Sequence, residues 1–131
     1  MRQIKFRAWV KDERFGREML NVVMISWMKD GEIVLSGKGG SVMRDKCELM
    51  QFTGLTDYKG KEIYESDILR YSKVVPKGQK PIYHYWKVLM SPKGQWCIQR
   101  KDVMQSLASA TKNHEIIGDI HTTPDLLKSN D

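Results

Sequence analysis

A chain of 131 residues with 40% hydrophobic and 29% charged residues has the composition of one folded globule rather than of a disordered tail or a membrane protein. The formal net charge of +6 favours polyanions over cationic partners but names none of them. No stretch approaches the ~20 apolar residues of a membrane-spanning helix, and Met1-Arg2-Gln3-Ile4-Lys5-Phe6 has no apolar leader core, so a cytoplasmic location is expected.

From residue 3 to 9 the chain alternates, with Ile4, Phe6 and Ala8 on one side and Lys5 and Arg7 on the other, a half-buried first strand. Lys11 to Arg17 reads as a turn. The apolar stretch Met19 to Met28 predicts a second strand, and Asp30-Gly31 before Glu32 to Ser36 predicts a two-residue hairpin to a third. Flexible loops are expected near 36–46, where Ser36 to Ser41 is rich in glycine, and near 73–81, where Pro76, Gly78 and Pro81 cluster. The first is no phosphate-binding loop, because the spacing G-x-x-x-x-G-K-[ST] is absent and no long helix follows.

Leu49 to Phe52 is a short apolar run that enters the turn-rich stretch Thr53 to Lys61. A strand resumes from Glu62 to Tyr71. Its two-residue period breaks at Ser66-Asp67, since Ile68 and Leu69 are adjacent apolar residues, which predicts a bulge or bend. Ile82 to Met90 alternates again, with Ile82, His84, Trp86, Val88 and Met90 facing one way and Tyr83, Tyr85, Lys87 and Leu89 the other. Ser91-Pro92-Lys93-Gly94 carries type I turn chemistry and leads back into Gln95 to Arg100. Asp102 and Gln105 occupy capping-box positions before Leu107 and Ala108, which predicts a short helix from Asp102. Glu115 to Ile120 closes the strands, Pro124 opens a helical turn through Leu127, and the tail 128–131 is expected to fray. The fold class expected is mainly β, α+β at most, a strongly bent antiparallel sheet or partly open β-barrel with one or two short helices in a single domain.

Three blocks resemble the YopX family of phage and prophage proteins. They are Ile4-Lys5-Phe6-Arg7-Ala8-Trp9; Leu49 to Leu55 leading through Gly60-Lys61-Glu62-Ile63-Tyr64-Glu65 to Asp67-Ile68; and Glu115 to Ile120 with Pro124-Asp125-Leu126-Leu127. The order is kept end to end. The resemblance implies a small, mostly β phage-encoded protein with no established reaction, substrate or cofactor. In the family pattern a glycine usually precedes the aspartate at 67, where this chain has Ser66, so a positive φ there would strain the serine.

The charge is uneven. Residues 1–17 sum to +4 and residues 59–102 to +6, with no carboxylate between Asp67 and Asp102. That gap holds Arg70, Lys73, Lys77, Lys80, Lys87, Lys93, Arg100 and Lys101 together with Tyr71, Tyr83, Tyr85, Trp86 and Trp96. Cations that neutralise phosphate, interleaved with rings on which bases stack, suit single-stranded nucleic acid. Arg70, Lys73, Lys77, Lys80, Tyr83, Tyr85, Lys87, Arg100 and Lys101 are the candidate nucleic-acid-binding residues. Solvated lysines around a sheet with aromatics in its core would give the same string.

Enzymatic chemistry finds little purchase. His84, His114 and His121 lie in no nucleophile motif, and the two cysteines, Cys47 and Cys97, read as reduced thiols, with Cys97 between Trp96 and Ile98 a small sheet residue. A metal-dependent nuclease would need Glu65 and Asp67, at strand spacing, joined by Asp57 or Asp119, with Lys61 or Arg70 on the phosphate. Acid pairs at that spacing more often serve solubility. The chain is therefore expected to be a non-enzymatic phage accessory protein with no cofactor and no catalytic or metal-binding residue. Nucleic acid is its first candidate partner. The alternative is a protein-interaction or self-assembly module that binds a host or phage protein or forms a homo-oligomer, for which the Tyr/Trp-rich hairpin and eight methionines are suited.

Overall fold

The computed structural model describes residues 3–11, 17–73 and 75–130, except for the side chains of residues 72, 73, 129 and 130. The fold is mainly β, and every strand pair with an assigned register among the described residues is antiparallel. The chain divides into two compact units, Met1–Phe52 and Thr53–Asp131.

In the first unit, β1 (Phe6–Val10) lies between β2 (Glu18–Val22) and the first half of β6 (Cys47–Thr56). Ala8 and Val10 point inward and are buried, whereas Ile4, ahead of the strand, is exposed rather than part of the inward face. The apolar stretch 19–28 is two strands, not one: β2 pairs with β1, and β3 (Met24–Trp27) pairs with β4 (Ile33–Gly37). The chain crosses between them at Val23, whose N–H donates to Ser36 O. The hairpin at Asp30-Gly31 is a three-residue loop, because Met28 N donates to Glu32 O and Gly31 N to Met28 O, with Gly31 at φ 90°.

The glycine-rich stretch expected as a loop near 36–46 carries regular structure. β4 turns through Lys38-Gly39 into β5 (Gly40–Met43), with Ser36 Oγ and Ser41 Oγ 2.8 Å apart, and a 3-10 turn spans Arg44–Lys46. Gly37 is required by space: a Cβ there would stand 2.3 Å from Asn21 O. Leu35, Val42, Ala8, Val10 and Cys47 form this unit's buried cluster.

In the second unit, the last residues of β6 pair with β7 (Glu62–Tyr64), and Thr53 Oγ1 donates to Ile63 O at 2.7 Å. A five-stranded sheet follows in the order β11 (Val103–Ser106), β10 (Trp96–Arg100), β9 (Ile82–Met90), β8 (Asp67–Lys73), β12 (His114–Asp119). The bend predicted between Ile63 and Ile68 lies at Ser66, which sits at φ 74° and separates β7 from β8. The turn at 91–94 is as its residues predict, with Gly94 N donating to Ser91 O and Ser91 N to Gln95 O.

One expectation fails clearly. Val103 to Ser106 is the edge strand β11 rather than the start of a helix, and the helix is the single turn α1 (Leu107–Ala110). Lys101, at φ 54°, makes the tight turn from β10 into β11, so ladder pairing from Arg100 to Val103 displaces the local capping pattern. A 3-10 helix (Pro124–Asn130) extends past the predicted turn and packs against β9; Asp131 lies outside the described residues. Leu69, Trp86, Val88, Ile98, Ile63, Leu107 and Ala110 form the buried cluster.

Candidate nucleic-acid interface

Directly opposed residues of an antiparallel ladder share a face, so the register sorts the candidate side chains. Leu69 pairs with Trp86, and Val88 with Ile98, and all four are buried on the core face. The alternate residues look outward: Arg70 pairs with Tyr85 and with Glu115, Ser72 with Tyr83, and Gln99 with Lys87. Arg70, Tyr83, Tyr85 and Lys87 thus share the outer face of β8 and β9. Tyr83 is exposed, whereas Tyr85 and Lys87 are half-buried. The Arg70 guanidinium lies over the Tyr83 ring, 4.5 Å from its centre.

The outer face also carries an acid that linear distance conceals. Glu115 Oε1 accepts from Arg70 Nη2 at 2.5 Å and Glu115 Oε2 stands 2.7 Å from Lys59 Nζ. Lys59, followed by Arg70, holds the Glu115 carboxyl below its ordinary range. The hydrogen bond to Glu115 raises both Lys59 and Arg70 above theirs. Two cations around one carboxylate leave a single excess positive charge at this spot. Neither Lys59 nor Glu115 was among the sequence candidates.

The remaining candidates scatter. Lys77 and Lys80 are exposed in the loop before β9, and Lys101 is exposed in the β10–β11 turn. Arg100 ends β10 with its side chain on the other side from Gln99, so it belongs to the core-facing side and not to the outer face. The side chain of Lys73 lies outside the described residues. The outer face is also capped at one end: Ile68 on it is fully buried, and Gly118, its cross-strand partner, lies beneath Thr123 and Leu126. A Cβ at Gly118 would stand 1.9 Å from Thr123 Oγ1, so only glycine allows this closure.

Three of the four carboxylates considered for a metal have other work, and the fourth, Glu65, is half-buried. Asp57 Oδ1 accepts from Lys59 N and Lys61 N, and its Oδ2 accepts from Ile116 N beside the β12 bulge, each at 2.9 Å. Asp67 Oδ2 accepts from Tyr64 N at 2.8 Å, across the bend at Ser66. Asp119 accepts from His121 N, Thr122 N and Thr122 Oγ1. All three are buried, and these hydrogen bonds run to backbone N–H groups and a turn hydroxyl, so they fix turns. Among the described residues no group of three or more His, Cys, Asp or Glu side chains is placed to hold a metal ion. Cys47 and Cys97 are free and buried, and burial pushes the Cys47 thiol up.

Residues 5–128 match the family described as YopX protein. The chain belongs to the YopX family. Its fold is similar to that of protein EF1440 from Enterococcus faecalis, known from a crystal structure, with a TM-score of 0.67 at 23% identity over 97% of this chain and 99% of that one. At that identity the likeness concerns the fold. No curated protein matches the chain. Among the described residues, no helix of this YopX protein is long and apolar enough to cross a membrane.

Proposed function

We propose that this YopX protein is a non-enzymatic phage or prophage accessory protein that binds single-stranded nucleic acid in the cytoplasm of its bacterial host. The observation that carries the reading is the outer face of β8 and β9, where the Arg70 guanidinium covers exposed Tyr83 and where Tyr85 and Lys87 look the same way. Bases would stack on Tyr83 and the Arg70 plane, with Lys87, Lys77, Lys80 and Lys101 on phosphates. Arg100 has no part in it. The hydrogen bonds of Asp57, Asp67 and Asp119 to backbone N–H groups support reading these three as turn residues rather than metal ligands.

Glu115 sharpens the expectation. A phosphate that engages Arg70 must compete with a carboxylate already bound to it, so affinity rests mainly on the lysines and should be strongly salt-dependent. If four cations engage a single strand, log K falls with log salt at a slope of roughly −3. Titration of fluorescent single-stranded oligonucleotides at several salt concentrations measures this. Lys77→Glu/Lys80→Glu should flatten the slope by about half, and Tyr83→Ala should weaken binding roughly tenfold at unchanged slope. A flat salt response, or wild-type affinity in both variants, would overturn the reading.

A further inference from the structure

Apart from Ile4 ahead of β1, the large exposed apolar side chains of the first unit cluster on one strand. Val23 is 79% exposed, Met24 56%, Trp27 72% and Met28 50%, all in or beside β3. β3 is an edge: β4 pairs with one side of it, and among the described residues no strand pairs with the other. Edge strands are ordinarily protected by a charge, a proline or a cover. From Met19 to Met28 this chain has neither charge nor proline.

The ladder phase identifies which backbone groups are open. Met28 N donates to Glu32 O, and hydrogen-bonded and non-bonded pairs alternate along an antiparallel ladder. Ser26 therefore bonds toward β4, and the N–H and C=O of Ile25 and Trp27 point to the open side.

We propose that β3 pairs antiparallel with β3 of a second copy about a two-fold axis at Ser26, which joins two three-stranded sheets into one of six strands. In this register Ile25 of each copy stands opposite Trp27 of the other. Both open residues then satisfy their N–H and C=O groups, giving four hydrogen bonds. Met24 falls opposite Met28, apolar on apolar, and Ser26 opposite Ser26. A shift by one residue would turn the faces over, and a shift by two would leave open groups unpaired.

Charge and area both favour a second copy as occupant. Two chains of +6 repel, and the uncharged edge from Val23 to Met28 lets them meet without opposing like charges. The exposed parts of Val23, Met24, Trp27 and Met28 amount to roughly 500 Å² per copy, so ~1,000 Å² is the upper limit that pairing can remove from water, an area of the order a specific contact requires.

The test is the solution mass of the full chain by light scattering at about 100 μM, where a contact of micromolar Kd is largely formed. Wild type should show twice the chain mass. Ser26→Glu alone and Ser26→Lys alone each place like charges at the axis and should be monomeric, and an equimolar mixture of the two should restore the dimer. Trp27→Lys, at an exposed site, should also be monomeric with an unchanged circular dichroism spectrum. A monomeric wild type, or a dimer indifferent to these substitutions, would overturn the proposal. Nucleic-acid affinity has no part in this readout, so the two readings succeed or fail separately.

Discussion

The two compact units are stabilised by different means. The buried residues of the first are Ala8, Val10, Leu35, Val42, Cys47, Met50 and Phe52, all apolar. The second adds to its apolar cluster Thr53, Asp57, Asp67, His114 and Asp119, and every buried polar or charged residue among those described lies in it. The difference follows from the turns. In the first unit, glycines at positive φ make the reversals, at Gly31 and at Gly39-Gly40, and the side chains that assist there, Asp30 accepting from Glu32 N and Ser36 beside Ser41, are not buried. In the second, buried aspartates bind the backbone N–H groups that the turns leave unpaired, so the fold depends on particular oxygens as well as on apolar area.

The largest expected effect breaks the second unit at its most connected oxygen pair. Asp57→Ala strips acceptors from three N–H groups and should cost about 3 kcal/mol, with faster hydrogen exchange at Lys59, Lys61 and Ile116. Leu35→Ala in the first unit should cost about as much by leaving a cavity, with exchange quickened around β4 instead. Equal patterns of exchange in the two variants would refute the distinction.

A smaller effect runs the other way. Ser66 holds φ 74°, where a side chain is strained, so Ser66→Gly should stabilise the chain by about 1 kcal/mol in denaturant titration. A loss of stability would mean that the serine side chain offsets the strain.

The smallest effect is a pH dependence belonging to the second unit. Burial lowers the His114 pKa, against an opposing hydrogen bond with Ala110 O. Tyr71 stacks on its ring, Trp86 meets it edge-on, and Nε2 has no partner among the described residues. The neutral ring is thus favoured on folding. Its contribution is complete above the unfolded pKa near 6.5 and is lost as pH falls below that toward the lower folded value. Thermal unfolding at pH 7.5 and 5.5 should show a decline in wild type that His114→Gln reduces.

Much of the fold is legible where local chemistry and tertiary pairing agree. The strand at 82–90, the Ser91-Pro92-Lys93-Gly94 turn and the bend at Ser66 are of this kind. The misread elements are those where pairing with a distant strand decides. Met19 to Met28 is uncharged and mostly apolar with no glycine or proline to mark a break, and only pairing with β1 and β4 divides it into two strands. Asp102 and Gln105 mimic a helix start, yet β10 draws Val103 to Ser106 into the sheet. A run of glycines looks loose in isolation although Asn21 and Leu20 lie against Gly37. The candidate interface is legible in part. Alternation places Tyr83, Tyr85 and Lys87 together, but nothing near Arg70 in the chain announces Glu115, 45 positions away.

Each compact unit encloses one sulfhydryl, Cys47 in the first at 4% exposure and Cys97 in the second at 8%. Alkylating reagents can reach either sulfur only when its own half of the chain opens. The wild-type protein therefore carries two native clocks, and peptide mapping after timed labelling would record the opening rate of each half without any introduced probe.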